Sequence, residues 1–316
     1  MNILVAGGAG FIGATLCQKL LALGHTVLCV DSMYTGSAQA IDHLRSHERF
    51  TFICQDICQP IDVSRLKAVE QVYNLACPAS PQKYQQDPVK TIETNVIGTR
   101  NLLELARSQS ARFLLASTSE VYGSPKQKPQ REDYWGNVNT TGPRSCYDEG
   151  KRCAEALVYA YHTQHGVDTR IARIFNTYGP GMQRDDGRVV SNFVNRIIDD
   201  EPVCIYGDGS QTRCFCYIDD MVDALIALMS SDCTEPINLG SDHEISIKTL
   251  AYLIGQILGK EVIVRYTPAL LDDPLERRPD LEKCCRILGW KATTSLEDGL
   301  LRTANFFAKC QEHDNA

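Results

Sequence analysis

The chain contains a tyrosine and a lysine that are spaced to act together in proton transfer. Tyr147 and Lys151 are four residues apart in a segment with helical patterning, so both side chains lie on one helical face. An ammonium group beside a phenol stabilises the phenolate, which lowers the tyrosine pKa from about 10 toward neutrality. Thr118 closes an apolar run, where its hydroxyl can share a proton with the phenol and a substrate alcohol. These residues therefore predict proton abstraction from an alcohol.

A second candidate site is the glycine-rich segment near the N-terminus. Gly7, Gly10 and Gly13 form a Gly-x-x-Gly-x-x-Gly pattern between an apolar run and a helical pattern. Glycines there permit a tight turn and let a pyrophosphate approach the N–H groups of the helix N-terminus. Asp31 ends the next apolar run, 18 residues after the last glycine, where a carboxylate binds ribose hydroxyls and repels a 2′-phosphate. The pattern predicts NAD as cofactor, and Asp56 is either an adenine contact or a turn residue.

The elements that must position these residues alternate apolar runs with helical patterns. Continuous apolar runs separated by helices are typical of parallel strands that are covered on both faces. The six runs cover residues 3–6, 27–30, 50–53, 72–76, 113–116 and 170–175. They predict an α/β fold with a doubly wound parallel sheet, in which ligands bind at the carboxyl ends of the strands.

The pattern changes after about residue 177, which divides the chain into two predicted lobes. Residues 1–177 are expected to bind the cofactor, and residues 178–316 form a smaller α/β lobe that mainly binds substrate, although the chain can cross between lobes. The second lobe should contain a strand at 203–206 and helices near 219–230, 246–258 and 295–309. No Pro/Ser-rich linker separates the lobes, so we expect them to pack closely around a cleft.

Composition and charge exclude several classes of function. The chain has 316 residues, is 43% hydrophobic and 22% charged, and has no apolar run near the roughly 18 residues of a membrane span. Its net charge is −7 and it has no basic run, so no nucleic-acid partner is expected. The fourteen cysteines include no Cys-x-x-Cys pair, so no metal site is expected. Because no charged leader precedes an apolar segment, we expect a cytoplasmic chain with reduced thiols.

Several longer motifs resemble those of a known enzyme family. They are similar to motifs of the UDP-glucuronic acid decarboxylases, or UDP-xylose synthases, of the extended short-chain dehydrogenase/reductase superfamily. The matching segments are ASTSEVYG (116–123), EDYWG (132–136), CYDEGKR (146–152), RIFNTYGP (173–180), DGRVVSNF (186–193), YGDGSQTR (206–213), DDP (272–274) and RRPD (277–280). The resemblance covers nearly the whole chain. It implies a Rossmann fold, NAD as cofactor, a UDP-sugar as substrate and no membrane partner.

The resemblance also implies roles for the catalytic residues. Tyr147, activated by Lys151 and Thr118, would take the proton of the sugar 4-hydroxyl while a hydride passes to NAD. The resulting ketone is β to the sugar carboxylate, so carbon dioxide can leave through an enolate. Glu120 is similar in place to the family's acid/base residue, and Ser119 can orient the carboxylate. Return of the hydride would yield UDP-xylose without net consumption of NAD.

The same resemblance indicates which residues contact the two ligands. Arg277 matches the family's arginine that faces the sugar carboxylate or ketone. Contacts to NAD are expected from Gly7, Gly10, Phe11, Ile12, Gly13, Asp31, Ser32, Thr35, Gly36, Asp56, Ile57, Leu75, Cys77, Thr94, Ala116, Tyr147 and Lys151. Contacts to the nucleotide sugar are expected from Asn176, Arg188, Val190, Asn192, Tyr206, Gln211, Arg213 and Arg277. An arginine fork suits phosphate oxygens, and Arg213 lies in an apolar segment where it needs an anionic partner.

Two positions depart from the family pattern. Glu93 stands where the family has a lysine, and Asp62 stands where it tends to have a tyrosine near the ligand. A surface-facing Glu93 is the simplest explanation of the first change. Both positions bear on the identity of the sugar more than on the redox chemistry.

Four other functions share part of this pattern. A decarboxylase that stops at the UDP-4-keto-pentose and releases NADH would use the same residues. A nucleotide-sugar 4,6-dehydratase shares the first oxidation, but it resembles Thr-Asp-Glu where this chain has Thr118 and Ser119. A UDP-sugar 4-epimerase generally lacks Glu120 and the Arg277 region. A non-enzymatic NAD-sensing protein has no need of the threonine, tyrosine and lysine together.

Two helical segments suggest how the chain assembles. Residues 90–107 and 147–164 carry apolar positions such as Val96, Leu105 and Leu157. Dimers of the superfamily bury similar helices in a four-helix interface, so by analogy we expect a homodimer.

Overall fold

The structure of the protein, a computed structural model, describes residues 1–61, 68–269 and 276–314. Asp62 and the motif at 272–274 therefore lie outside the described residues. The strands in the described ranges are β1 Asn2–Ala6, β2 Thr26–Asp31, β3 Phe50–Cys54, β4 Gln71–Asn74, β5 Arg112–Thr118, β6 Thr169–Ile174, β7 Thr177–Tyr178, β8 Val203–Tyr206, β9 Thr212–Cys214, β10 Cys216–Tyr217, β11 Ile237–Leu239, β12 Glu244–Ser246, β13 Val264–Thr267 and β14 Glu276–Arg277.

Helices connect most of these strands. They are α1 Phe11–Ala22, α2 Ala38–Ile41, α3 Pro81–Gln86, α4 Pro88–Glu93, α5 Thr99–Gln109, α6 Ser145–His165, α7 Val189–Ile198, α8 Ile218–Ser230, α9 Ile247–Leu258, α10 Glu282–Leu288 and α11 Leu296–Asp314. The predicted helix at 90–107 contains a π-helical turn, Thr94–Gly98, between α4 and α5. Short 3₁₀ turns occur at Asp42–Leu44 and Ser119–Tyr122. Within the described ranges, none of these helices is both long and apolar enough to cross a membrane.

Seven parallel strands form the main sheet, in the order β3-β2-β1-β4-β5-β6-β11. The strand order reverses between β1 and β4, and ligands of doubly wound sheets bind at such a reversal. The predicted doubly wound α/β fold, the Rossmann fold, is confirmed. The six predicted apolar runs correspond to β1–β6. The seventh strand was not predicted, because its three residues include a polar Asn238 and make no continuous apolar run.

The main sheet has an apolar core on each face. In β1, Ile3 and Val5 face a core that includes α1 and α8, whereas Leu4 and Ala6 face a core that includes α5 and α6. All four side chains are fully buried, and burial of a large aliphatic side chain stabilises a fold by about 1.5–3 kcal/mol. Because helices cover both faces, the strands are apolar throughout instead of alternating with polar residues.

The C-terminal part of the chain builds a smaller lobe but also returns to the main sheet. Three small sheets pair β7 with β10, β8 with β13, and β9 with β12 and β14. β11 follows α8 and pairs with β6, so this part of the chain contributes the last strand of the main sheet. Leu250 of α9 and Phe307 of α11 belong to the same apolar core as α1. The two lobes therefore pack closely, and a cleft lies between them at the carboxyl ends of the main strands.

Candidate active site

The glycine loop joins β1 to α1 in a conformation that requires glycine. Gly7 has a φ of +78°, a region that residues with a Cβ rarely adopt. A Cβ on Gly13 would lie 2.1 Å from the Gly7 carbonyl oxygen, so only glycine lets the helix start this close to the strand. Gly10 is the N-cap of α1, where no side chain caps the N–H groups and no acidic residue occupies the first turn. This cradle fits the pyrophosphate of NAD.

Asp31 lies beneath this loop, at the end of β2. Its carboxylate is 8% exposed and accepts hydrogen bonds from the Ala9 N–H at 3.0 Å and the Met33 N–H at 2.9 Å. Burial raises the pKa of Asp31, and the two backbone bonds act in the opposite direction. Asp31, Ser32 and Gly36 do not belong to the described residues that line the cleft. In this structure Asp31 fixes the glycine loop to the second strand.

Four more of the expected ligand contacts do not belong to the described lining of the cleft. Asp56 pairs with Lys90 and accepts a hydrogen bond from the N–H two residues later at 2.9 Å. Burial would raise the Asp56 pKa, but these partners hold it below its usual range. Ile57, Thr94 and Val190 are buried, and the Thr94 hydroxyl donates to the Lys90 carbonyl at 2.8 Å.

A cavity of about 380 Å³ runs along the cleft and brings most of the predicted residues together. Its predicted lining residues are Gly7, Gly10, Phe11, Ile12, Gly13, Thr35, Leu75, Cys77, Ala116, Thr118, Ser119, Glu120, Tyr147, Lys151, Asn176, Arg188, Asn192, Tyr206, Gln211, Arg213 and Arg277. Glu93 is exposed at the end of α4 and does not belong to the described lining. This departure from the family pattern therefore faces the surface.

Tyr147 and Lys151 lie on the buried face of α6, beside the end of β5. Thr118 lines the same cavity, and hydrogen bonding from its side chain acts to lower the pKa of the Tyr147 phenol. Lys151 Nζ donates to the Ala116 carbonyl at 2.9 Å and lies 6.0 Å from the centre of the Tyr147 ring. We expected Lys151 to lower the Tyr147 pKa, but the net shift is opposite. Burial is the largest effect and raises this pKa, while the Thr118 bond and the charge of Arg188 only partly oppose it.

Tyr84 of α3 completes this part of the cavity and was not predicted. Its ring stacks on Tyr147 with the centroids 4.9 Å apart and the planes 5° from parallel. Its hydroxyl is buried and has no hydrogen-bond partner among the described residues. No sequence signal pointed to it, because α3 and α6 meet only through the tertiary fold.

Glu120 lies between two arginines in the same cavity. Arg277 Nη2 lies 2.9 Å from Glu120 Oε1 and 3.0 Å from Oε2, and Arg144 Nη2 also donates to Oε2. Burial would raise the Glu120 pKa, but the charges of Arg277 and Arg144 hold it below its usual range. Glu120 is therefore a buried, ionised carboxylate. Arg144 was not predicted, although it comes three residues before Tyr147, at the start of the same helix.

The C-terminal lobe supplies the other side of the cavity. Arg213 and Arg277 are neighbours because β9 and β14 pair in parallel with these two residues opposite each other. Arg277 Nη1 lies 3.4 Å from Asn176 Oδ1. Gln211 Nε2 donates to the carbonyl of Tyr206 at 2.7 Å, which links two expected nucleotide contacts. Two short strands thus bring guanidinium groups from distant parts of the sequence to one wall.

Comparisons with known proteins agree with this geometry. The NAD dependent epimerase/dehydratase family matches residues 3–240. UDP-glucuronic acid decarboxylase 1 of Xenopus tropicalis is 49% identical over 312 residues, which cover 99% of this chain and 73% of that protein. UDP-glucuronic acid decarboxylase 5 of Arabidopsis thaliana is 48% identical over 317 residues, which cover 100% of this chain and 92% of that protein. The structure of UDP-glucuronic acid 4-epimerase from Bacillus cereus, in complex with UDP-glucuronic acid and NAD, is similar with a TM-score of 0.88 and 29% identity, covering 98% of this chain and 100% of that chain.

The family likeness and the geometry lead to the same assignment. The glycine cradle leaves no space for a Cβ at Gly7 or Gly13, which is the fit that a dinucleotide pyrophosphate requires, and NAD is the cofactor of the family that matches. Identity near one half extends over almost the whole chain. The chain belongs to the NAD-dependent epimerase/dehydratase family and, within it, to the UDP-glucuronic acid decarboxylases.

Proposed function

We propose that the protein converts UDP-glucuronic acid into UDP-xylose and carbon dioxide, with NAD retained between oxidation and reduction. The observation that carries this proposal is the ion pair of Glu120 with Arg277 in the cavity that holds Tyr147. A tyrosine and a lysine alone would support the oxidation of many alcohols. The guanidinium of Arg277 beside them suits a sugar that carries an acid group, and Glu120 adds a group that can carry a proton.

The charge of the cavity supports an anionic substrate. The described lining carries six cationic side chains but only two acidic ones, although the chain as a whole has a net charge of −7. Negative charges on the diphosphate and the sugar carboxylate would balance this excess. We assign the nucleotide half of the substrate to Asn176, Arg188, Val190, Asn192, Tyr206, Gln211 and Arg213. On this assignment residues 1–177 mainly bind NAD and residues 178–316 mainly bind the nucleotide sugar.

The first half of the reaction removes the proton of the sugar 4-hydroxyl and a hydride from carbon 4. NAD, when bound, supplies a reversible acceptor for the hydride. Tyr147 takes the hydroxyl proton, and the Thr118 hydroxyl aligns the phenol with the sugar alcohol. Since burial opposes the phenolate, this step needs positive charge nearby, which Lys151 and Arg188 provide. The product of this half is a 4-keto sugar with its carboxylate β to the ketone.

The second half breaks the bond between carbon 5 and the carboxylate. The electron pair of that bond moves toward the ketone as an enolate, and carbon dioxide leaves. Arg277 stabilises the negative charge, which is a preorganised electrostatic effect. Ser119 orients the carboxylate, and the ionised Glu120 takes up a proton from solvent and passes it to carbon 5. Tyr147 then returns its proton to the 4-oxygen as the hydride returns to carbon 4.

The experiment that tests this function incubates the purified protein with UDP-glucuronic acid and no added NAD. Carbon dioxide, the sugar product and the absorbance of NADH are followed together. We expect equal amounts of carbon dioxide and UDP-xylose, with no lasting rise in NADH. Lasting NADH with a UDP-4-keto-pentose would instead identify a decarboxylase that lacks the second hydride step. UDP-galacturonic acid without carbon dioxide would identify a 4-epimerase.

We further propose that the protein is a homodimer with a four-helix interface. Val89 and Ile92 of α4 are 66% and 45% exposed, and Ile97 of the π-helical turn is 38% exposed. Exposed apolar side chains in one helical segment are typical of a protein contact surface. We expect light scattering to give twice the chain mass, and Ile92→Arg to give a monomer. A wild-type monomer at micromolar concentration would contradict the proposal.

We also propose that the protein works in the cytoplasm. The exposed Cys54, Cys153 and Cys285 and the buried Cys17 and Cys29 are thiols in the structure, which suits a reducing compartment. Rapid alkylation of intact cells should modify the exposed Cys54, Cys153 and Cys285. If these cysteines are alkylated only after a reductant is added, they are oxidised in the cell, and this result would contradict the proposed location.

A further inference from the structure

Arg144 connects the two groups that handle protons in the cavity. It is the N-cap residue of α6, and its carbonyl accepts hydrogen bonds from the N–H groups of Tyr147 and Asp148, both at 3.0 Å. Its side chain extends to the other group, where Nη2 donates to Glu120 Oε2. The residue is 8% exposed. Arg144 therefore fixes Glu120 relative to the helix turn that carries the phenol.

The two arginines on Glu120 differ in what else they must bind. Arg277 belongs to β14 of the C-terminal lobe, contacts Asn176, and would bind the sugar carboxylate or ketone in the proposed function. Arg144 also lies 3.8 Å from Asp148 Oδ2, an ion pair within its own helix. Binding of a substrate carboxylate to Arg277 would weaken the contact of Arg277 with Glu120, because one guanidinium would then serve two anions.

We propose that Arg144 is a positioning residue, which holds the Glu120 carboxylate against carbon 5 while Arg277 binds the sugar. The inference rests on the proposed function. The side chains assigned to the oxidation at carbon 4 are Tyr147, Thr118 and Lys151. Loss of Arg144 therefore slows the decarboxylation and reprotonation steps and spares the first hydride transfer.

The test compares Arg144→Gln and Arg144→Lys with a matched control, Arg45→Gln. Arg45 is also paired with a carboxylate, Asp42 at 2.9 Å, but it is exposed and lies outside the described lining of the cavity. Stopped-flow absorbance of NADH measures the first hydride transfer, and quenched samples measure carbon dioxide and UDP-xylose. Calorimetry with UDP reports whether each variant has kept its nucleotide site.

We expect Arg144→Gln to form UDP-xylose about 10- to 100-fold more slowly, which is the usual effect of removing a charged hydrogen-bond partner. Enzyme-bound NADH should accumulate in this variant, because oxidation continues while the later steps are slow. Arg144→Lys should recover part of the rate, since it restores the charge but not the fork. Arg45→Gln should behave as the wild type does.

Three results would overturn the inference. Equal slowing of the hydride and product steps would show that Arg144 only supports the local fold. If both Arg144→Lys and Arg144→Gln form UDP-xylose at the wild-type rate, Glu120 does not need Arg144 to hold its position. If Arg144→Gln loses UDP binding, the test rests on Arg144→Lys. A wild-type rate of UDP-xylose formation in Arg144→Lys, with no accumulation of NADH, would then refute the inference. A wild-type protein that releases no carbon dioxide would overturn the proposed function itself, and the inference with it.

Discussion

Replacement of Tyr147 by Phe removes one oxygen atom from the centre of the candidate site. The phenol is buried, and its ring stacks on Tyr84 at 4.9 Å, a contact that Phe retains. A positioned acid/base group contributes about 10²- to 10⁴-fold in rate, which corresponds to roughly 3–5.5 kcal/mol of barrier. We therefore expect the first hydride transfer to slow by that factor, while UDP binding and the folded structure are unchanged.

The assay for Tyr147→Phe follows NADH absorbance after rapid mixing with UDP-glucuronic acid, and calorimetry with UDP measures binding. Tyr161→Phe is the matched control, because it makes the same change in the same helix. Its hydroxyl donates to Glu104 at 2.6 Å, and it does not belong to the described lining of the cavity. A hydride transfer rate near that of the wild type in Tyr147→Phe would refute the assignment of the base. Equal slowing of hydride transfer in Tyr147→Phe and Tyr161→Phe would show that the effect is not specific to Tyr147.

Three further predictions concern the acid group, the cofactor loop and pH. Arg277→Ala should weaken binding of UDP-glucuronic acid by about 10- to 100-fold and of UDP far less in calorimetry, whereas equal losses would show that this side chain is misplaced. Gly13→Ala should abolish NAD binding but not UDP binding, because its Cβ would lie 2.1 Å from the Gly7 carbonyl oxygen; a normal NAD content of the purified variant would contradict this. Burial and the Glu120 charge raise the pKa of Asp148 to about 7. The folded protein therefore binds this proton more tightly than the unfolded chain, and the wild type loses stability as pH rises from about 4 to 7. Asp148→Asn should remove that loss, so the melting temperature of this variant minus that of the wild type should increase as the pH rises over this range. A difference in melting temperature that does not change with pH would show that Asp148 does not have a raised pKa.

Local sequence patterns predicted the elements that depend on local physics. The strands of the main sheet have continuous apolar runs because both faces are buried. The glycine loop has its pattern because a Cβ on Gly13 would lie 2.1 Å from the Gly7 carbonyl oxygen. The spacing of Tyr147 and Lys151 placed both on one face of α6, where the structure has them.

Features that depend on the tertiary fold could not be predicted in this way. Tyr84 reaches Tyr147 only because α3 packs beside α6. Arg144 is close to Tyr147 in sequence, but its pairing with Glu120 needs the 3₁₀ turn after β5 to meet the start of α6. The spacing of Tyr147 and Lys151 also suggested a lowered tyrosine pKa, whereas burial, which spacing does not reveal, raises it.

The return of the hydride to the carbon that lost it is the central claim, and an isotope label tests it directly. The purified protein is given UDP-glucuronic acid with deuterium at carbon 4, without added NAD, and the product is analysed by mass spectrometry and NMR. The account predicts UDP-xylose that retains the deuterium at carbon 4, with one carbon dioxide released per molecule. UDP-xylose that has lost the label, or label that remains on the cofactor after carbon dioxide is released, would contradict it.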